Sequence, residues 1–178
     1  MTSHNKAPAD VQSAPSRAAM MPKRVYLFVS FVVAAAVAAA AFDLTVEHVV
    51  SPAWVALAPF FALLVLAERL DVRFRSSGQI ESVNLFEAVL APLLFAFPGS
   101  VVAGTVTLAW LASGYWRRNE TIKTVFNAAH WALAAGCAGL LINRFRDGEA
   151  VSLHNLLVLL AAMIVVGLVN QSLLTLVI

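Results

Sequence analysis

The feature that most constrains this chain is the recurrence of long apolar runs, each near the length of a membrane-crossing helix. About 20 consecutive apolar residues carry an α-helix across a hydrocarbon core about 30 Å thick. Six runs approach that length, at 25–42, 49–67, 83–97, 101–116, 124–142 and 153–178, each bounded by charges or by Pro, Gly and Ser. Hydrophobic residues fill 61% of the 178 positions and charged residues only 12%, too few to build a polar exterior around a core of this size. The expected fold is all-α: a polytopic membrane protein, a bundle of six transmembrane helices whose main partner is the lipid bilayer.

Local punctuation refines this outline. Lys23 and Arg24 precede the first run, whose second half, from Ala34 to Ala41, is alanine apart from Val37 and presents a smooth surface for close helix approach. The second run carries Pro52 and Pro59, which predicts a kink, and stops at Glu68-Arg69. Leu70, Val72 and Phe74 then alternate with Asp71, Arg73 and Arg75 ahead of Ser76-Ser77-Gly78, the pattern of a short interfacial hairpin over 70–82. Pro98-Gly99-Ser100 separates the third and fourth runs and predicts a helical hairpin. The sixth run is still apolar at Ile178, which predicts a chain truncated at its C-terminus. Residues 1–21, polar and rich in Ala, Ser and Pro, read as a disordered cytoplasmic tail.

Charge sets the expected orientation. With the N-terminus inside, the cytoplasmic segments hold Lys6, Arg17, Lys23, Arg24, Arg69, Arg73, Arg75, Arg117, Arg118 and Lys123, leaving only Arg144 and Arg146 of the 12 basic residues outside. Asp43 and Glu47 make the first outer loop acidic. Both termini are thereby expected in the cytoplasm and the chain in the plasma or bacterial inner membrane. The net charge of +2 is spread over these flanks, so orientation accounts for it and no nucleic-acid partner is expected.

Polar side chains at membrane depth are costly and each is a functional candidate. Glu68, Glu87, Asn127, His130, Asn170 and Gln171 all fall toward the cytoplasmic side and form a candidate polar layer, with Glu87 facing His130, and Asn127 facing Asn170 or Gln171. Such a layer can tie helices together or lie in the wet interfacial zone, or it can serve signalling or ligand contact; a Glu87–His130 pair would suit a pH-sensitive or cation-binding site. His48 and His154 lack metal-ligand spacing and read as surface residues. Trp54, Trp110, Trp116 and Trp131 allow an aromatic ligand box, but three lie near run ends, where indoles settle at the lipid interface. Ala35 and Ala39 on the first run, and Ala132, Gly136 and Gly139 on the fifth, form small-residue stripes that pack within one subunit or across a homodimer. Cys137 stands alone, a packing residue. No phosphate loop, nucleophile elbow, zinc-binding helix or carboxylate dyad is present, so neither enzymatic activity nor a cofactor or metal is expected of these residues.

The segments Ala67-Glu68-Arg69-Leu70, Ile80-Glu81-Ser82-Val83, Lys123-Thr124-Val125-Phe126-Asn127-Ala128-Ala129 and Val169-Asn170-Gln171 resemble the N-terminal multi-helix membrane sensor regions of bacterial GGDEF and HD-GYP signalling proteins, over residues 25–178. The resemblance implies a sensory or anchoring module that answers a small ligand, membrane state or partner and acts on a following cytoplasmic domain that makes or degrades cyclic di-GMP. Neither a Gly-Gly-Asp-Glu-Phe run nor a His-Asp metal motif occurs here, so that chemistry would lie beyond Ile178. Six runs, an alanine-rich first helix and this length are also similar to the substrate-binding components of energy-coupling-factor vitamin transporters, which implies an outward pocket for a vitamin-like compound. A scaffold associating laterally through small-residue faces is the third expectation.

Overall fold

The structure, a computed structural model, describes residues 23–46, 54–76, 79–118, 120–148 and 151–177. The tail expected at 1–21, together with Glu47, His48 and Pro52, lies outside them. Six helices and one small ribbon follow in order: α1 (Lys23–Val46), α2 (Trp54–Arg69), β1 (Asp71–Ser76), β2 (Gln79–Asn84), α3 (Phe86–Ala96), α4 (Gly99–Arg117), α5 (Thr121–Phe145) and α6 (Leu153–Val177). The chain is a six-helix bundle, largely apolar.

Contacts between helices fix the direction of each one. Phe28 meets Phe126 at 6.0 Å near the starts of α1 and α5, and Phe86 meets Trp131 at 4.7 Å while Arg146 reaches Phe95, so α1, α3 and α5 run the same way. Arg117 pairs with Glu68 where α4 and α2 end, and His130 bonds Asn170 while Asp147 bonds Asn155, so α2, α4 and α6 run the opposite way. The path is up-and-down throughout, as short links between neighbours require.

The centre of the bundle is α5. Its apolar window is 67% buried, against 17% each for α1 and α6, which flank it and turn most of their surface outward. These three are the helices long and apolar enough to cross a membrane among the described residues, fewer than the six expected. The shortfall has local causes. In α4, Thr105, Thr107, Ser113 and three glycines dilute the hydropathy, and the two threonine hydroxyls return to the carbonyls of Val101 and Ala103 at 2.8 and 2.7 Å. Helix α3 keeps only 11 residues, a rise of about 16 Å, because β2 continues to Asn84 and Phe97 is extended ahead of Pro98.

The ribbon is antiparallel, with Asp71 opposite Asn84, Val72 opposite Val83 and Ser76 opposite Gln79. The hairpin expected over 70–82 therefore exists and is longer, taking Val83 and Asn84 from the expected third helix. Ser77-Gly78, a turn dipeptide, separates the strands in sequence.

Helices α4 and α5 approach at backbone contact. Gly99 and Gly139 touch at one end, and Gly114 lies against Thr124 at the other. Fifteen residues separate the contacts on each helix, so the close seam extends for about 22 Å. Gly136 faces Ala39, where an added Cβ would stand 3.5 Å from the alanine methyl, which places the small-residue stripes of α1 and α5 against each other inside one chain.

Candidate functional site

At the end of the bundle that carries Arg69 and Arg117, the last turn of α2 meets the last turn of α4. The Glu68 side chain is only 7% exposed; it accepts the Ser113 hydroxyl and an Arg117 N–H at 3.2 Å. A second Arg117 N–H donates to the Glu68 carbonyl oxygen at 2.9 Å, so one guanidinium both neutralises the carboxylate and caps an open carbonyl of α2. Sequence reasoning found Glu68 but not its partners, because Ser113 looks like any small residue in an apolar run.

Deeper on the same side, His130 is 2% exposed, with its ring 5.2 Å from Phe126 and 5.5 Å from Trp131. Its Nε2 lies 2.7 Å from the Asn170 side-chain amide and its Nδ1 3.3 Å from the Phe126 carbonyl. The atom facing Nε2 is Asn170 Oδ1, an acceptor, and a neutral imidazole has one N–H, so the tautomer protonated at Nε2 donates to Asn170 Oδ1 across the shorter of the two contacts. This bond joins α6 to the core.

The candidate layer is thus two separate clusters rather than one sheet of polar groups. Glu87 is exposed in the first turn of α3, where the helix dipole favours a carboxylate, and the expected Glu87–His130 pair is replaced by His130–Asn170. Asn127 is half-buried and makes no side-chain hydrogen bond among the described residues. The reason is register: antiparallel α5 and α6 set 130 level with 170, so one turn earlier on α5 lies opposite Leu173, which packs beside Phe126. Gln171 is exposed, and its backbone carbonyl takes the Thr175 hydroxyl at 2.8 Å.

At the opposite end, Asp43 corrects its expected place in an outer loop. It belongs to α1 and is fully buried. Its carboxylate faces the backbone N–H of Ser100 at the start of α4, although neither oxygen reaches full hydrogen-bonding geometry. Pro98 holds the cap position of α4 without any side-chain cap, and Asp43 brings a carboxyl group from another helix to this N-terminus. Gly99 leaves it room: a Cβ there would stand 2.8 Å from Asp43 Oδ2. Nearby, the buried Asn155 amide accepts the Asp147 N–H at 2.9 Å, and Ser152 Oγ caps α6 through the Asn155 N–H at 3.1 Å. Arg146 donates to the Phe95 carbonyl at 3.0 Å and lies 5.0 Å over the Phe95 ring. A cavity of about 300 Å3 opens here among Phe97, Gly99, Gly139, Asn143 and Arg146.

The tryptophans divide. Trp110 and Trp131 are buried and stacked, with ring centroids 6.5 Å apart and planes at 17°, and Phe86 packs against both. They are core residues, not interfacial ones. Trp116 is exposed and carries the Arg69 guanidinium 4.4 Å above its ring. His154 Nε2 lies 2.8 Å from the Phe145 carbonyl, and no three His, Cys, Asp or Glu residues are placed to hold a metal among the described residues.

Compared with protein-family models, curated proteins and solved structures, the chain matches none.

Proposed function

We propose that this chain is a sensory or anchoring module of the cytoplasmic membrane, in which all six helices cross, the basic Arg69–Arg117 end faces the cytoplasm, and α6 passes packing changes to a following output domain. The observation that carries this reading is the attachment of α6: mostly outward-facing, it is held to the buried centre by Asn170 on His130, near its final turns. A change in the packing of α5 that moves His130 changes the position of the α6 terminus with it, the kind of two-state element a membrane switch needs. Short α3 fits six crossings because Leu90, Leu93 and Leu94 pack one face into the bundle, and a span shorter than the hydrocarbon thickness is accommodated by local thinning of the bilayer along its exposed face. The resemblance to the membrane regions of GGDEF and HD-GYP proteins names the output: a domain that makes or degrades cyclic di-GMP.

The test is the reading frame downstream of the codon for Ile178. A continuing frame that encodes a catalytic domain with cyclic di-GMP signatures supports the proposal, and a stop codon directly after it overturns it. A second reading, a transporter substrate-binding subunit, draws on the cavity beside Asn143 and Arg146, which this orientation turns outward. Retention of a vitamin-like compound by the purified chain, abolished by Asn143→Leu, would favour it.

A further inference from the structure

We propose that the C-terminal end of α4 is a binding site for one anionic phospholipid, whose headgroup phosphate lies on Arg118 and Arg69 and whose acyl chain follows Ala112 and Tyr115. The inference needs the bundle to lie in a bilayer but does not depend on the sensory reading. A surface cavity of about 590 Å3 is walled by Ala112, Tyr115, Trp116 and Arg118. Its two aromatic walls are exposed over 89% and 72% of their surface, at the level of the chain where the helix ends and its charges begin. Amphipathic rings so placed lie among headgroups.

The charges at this end are not equivalent. Arg117 is consumed by Glu68 and Lys123 by Glu120, each at 3.2 Å. Among the described residues, Arg69 and Arg118 meet no carboxylate. Arg69 is held on the face of Trp116, the indole that walls the cavity, so two guanidinium groups with no carboxylate partner among the described residues flank one amphipathic groove. Among the described residues Arg118 is also the non-glycine of positive φ, at φ 53° and ψ 36°, where it closes α4 by donating its N–H to the carbonyls of Gly114 and Tyr115. Glycine ordinarily takes that left-handed position; arginine there turns the chain and still lines the cavity. A groove with an apolar floor, aromatic sides and cationic rim matches an amphiphile with an anionic head, whereas a soluble anion would leave its aromatic walls unused.

The experiment uses the full chain in a neutral detergent and measures by native mass spectrometry the retention of phosphatidylglycerol against phosphatidylcholine with the same acyl chains. One phosphatidylglycerol should be retained preferentially. Arg118→Gly, which suits the left-handed backbone and preserves the helix end, should weaken it about fivefold, and Arg69→Ala with Arg118→Gly about thirtyfold. Trp116→Leu should weaken it while leaving the melting temperature unchanged, and Arg146→Ala at the other end should leave retention unaltered. Equal retention of the two lipids, or no effect of Arg118→Gly in a folded protein, would overturn the proposal. So would displacement of the lipid by inorganic phosphate alone, since that would assign the site to a soluble anion.

Discussion

Replacing Gly139 by alanine tests the backbone contact on which the α4–α5 seam depends. The added Cβ falls on the Cα of Gly99, with Gly99 N and C at 3.3 and 3.5 Å, and the obstructing atoms are backbone that no rotamer change can move. The helices must separate by about 1 Å to restore ordinary contact, and overpacking of this kind costs about 1–3 kcal/mol. Replacing a helical glycine by alanine returns about 1 kcal/mol of conformational preference, so the net loss is about 0–2 kcal/mol. Gly136→Ala is the control: its new methyl meets Ala39 at 3.5 Å, an ordinary contact, so it keeps the preference and gains about 1 kcal/mol. The two variants, one turn apart on the same helix, should differ by about 1–3 kcal/mol, or about 2–12 °C in melting temperature. Cys137 lies half-buried between them and supplies the readout, through a thiol-reactive fluorophore that reports its exposure on heating. A Gly139→Ala variant that melts at or above Gly136→Ala would refute the argument.

Other perturbations separate the remaining clusters. Gly114→Ala should destabilise through collision with the Thr124 side chain, and Thr124→Ala should rescue it only in part, since the Thr124 Cβ itself lies 2.9 Å from the new methyl; melting curves of the single and double variants check this. A double-mutant cycle on His130 and Asn170 should give a coupling of about 0.6–1.7 kcal/mol, measured by unfolding in mixed detergent, and a coupling of zero would remove the bond that ties α6 to the core. Arg117→Ala, which strands the nearly buried Glu68 carboxylate, should cost more than Arg117→Ala added to Glu68→Gln, again by melting temperature. Asp43→Leu should lose about 0.3–1 kcal/mol through the missing interaction with the α4 N-terminus, with Asp43→Asn intermediate in the same assay.

The helices were legible because apolar runs, prolines and charges are local signals. Pro98-Gly99-Ser100 marked the α3–α4 turn, and the alternation from Leu70 to Arg75 marked the ribbon. Lengths were less legible: nothing in Val83 and Asn84 declares whether strand or helix claims them, and that choice shortens α3 to 16 Å. Partners were the least visible. Asp43 looks like the charge that ends a run, and only the arrival of an uncapped helix start 56 residues later makes it a buried cap. Glu68, His130 and Asn170 were found because ionisable and amide groups stand out in apolar sequence, but their pairing depends on the register of helices far apart in the chain. Trp110 and Trp131 misled for the same reason, since an indole near a run end is interfacial only if no neighbouring helix covers it.

The most direct test of the six-crossing account addresses α3, the shortest helix. Sidedness reporters fused after Arg75, Ser100, Arg118 and Asp147 read the four links that follow α2, α3, α4 and α5. The account predicts inside, outside, inside, outside. Reporters after Arg75 and Ser100 on the same side would make α3 a helix that enters and returns, and would contradict it.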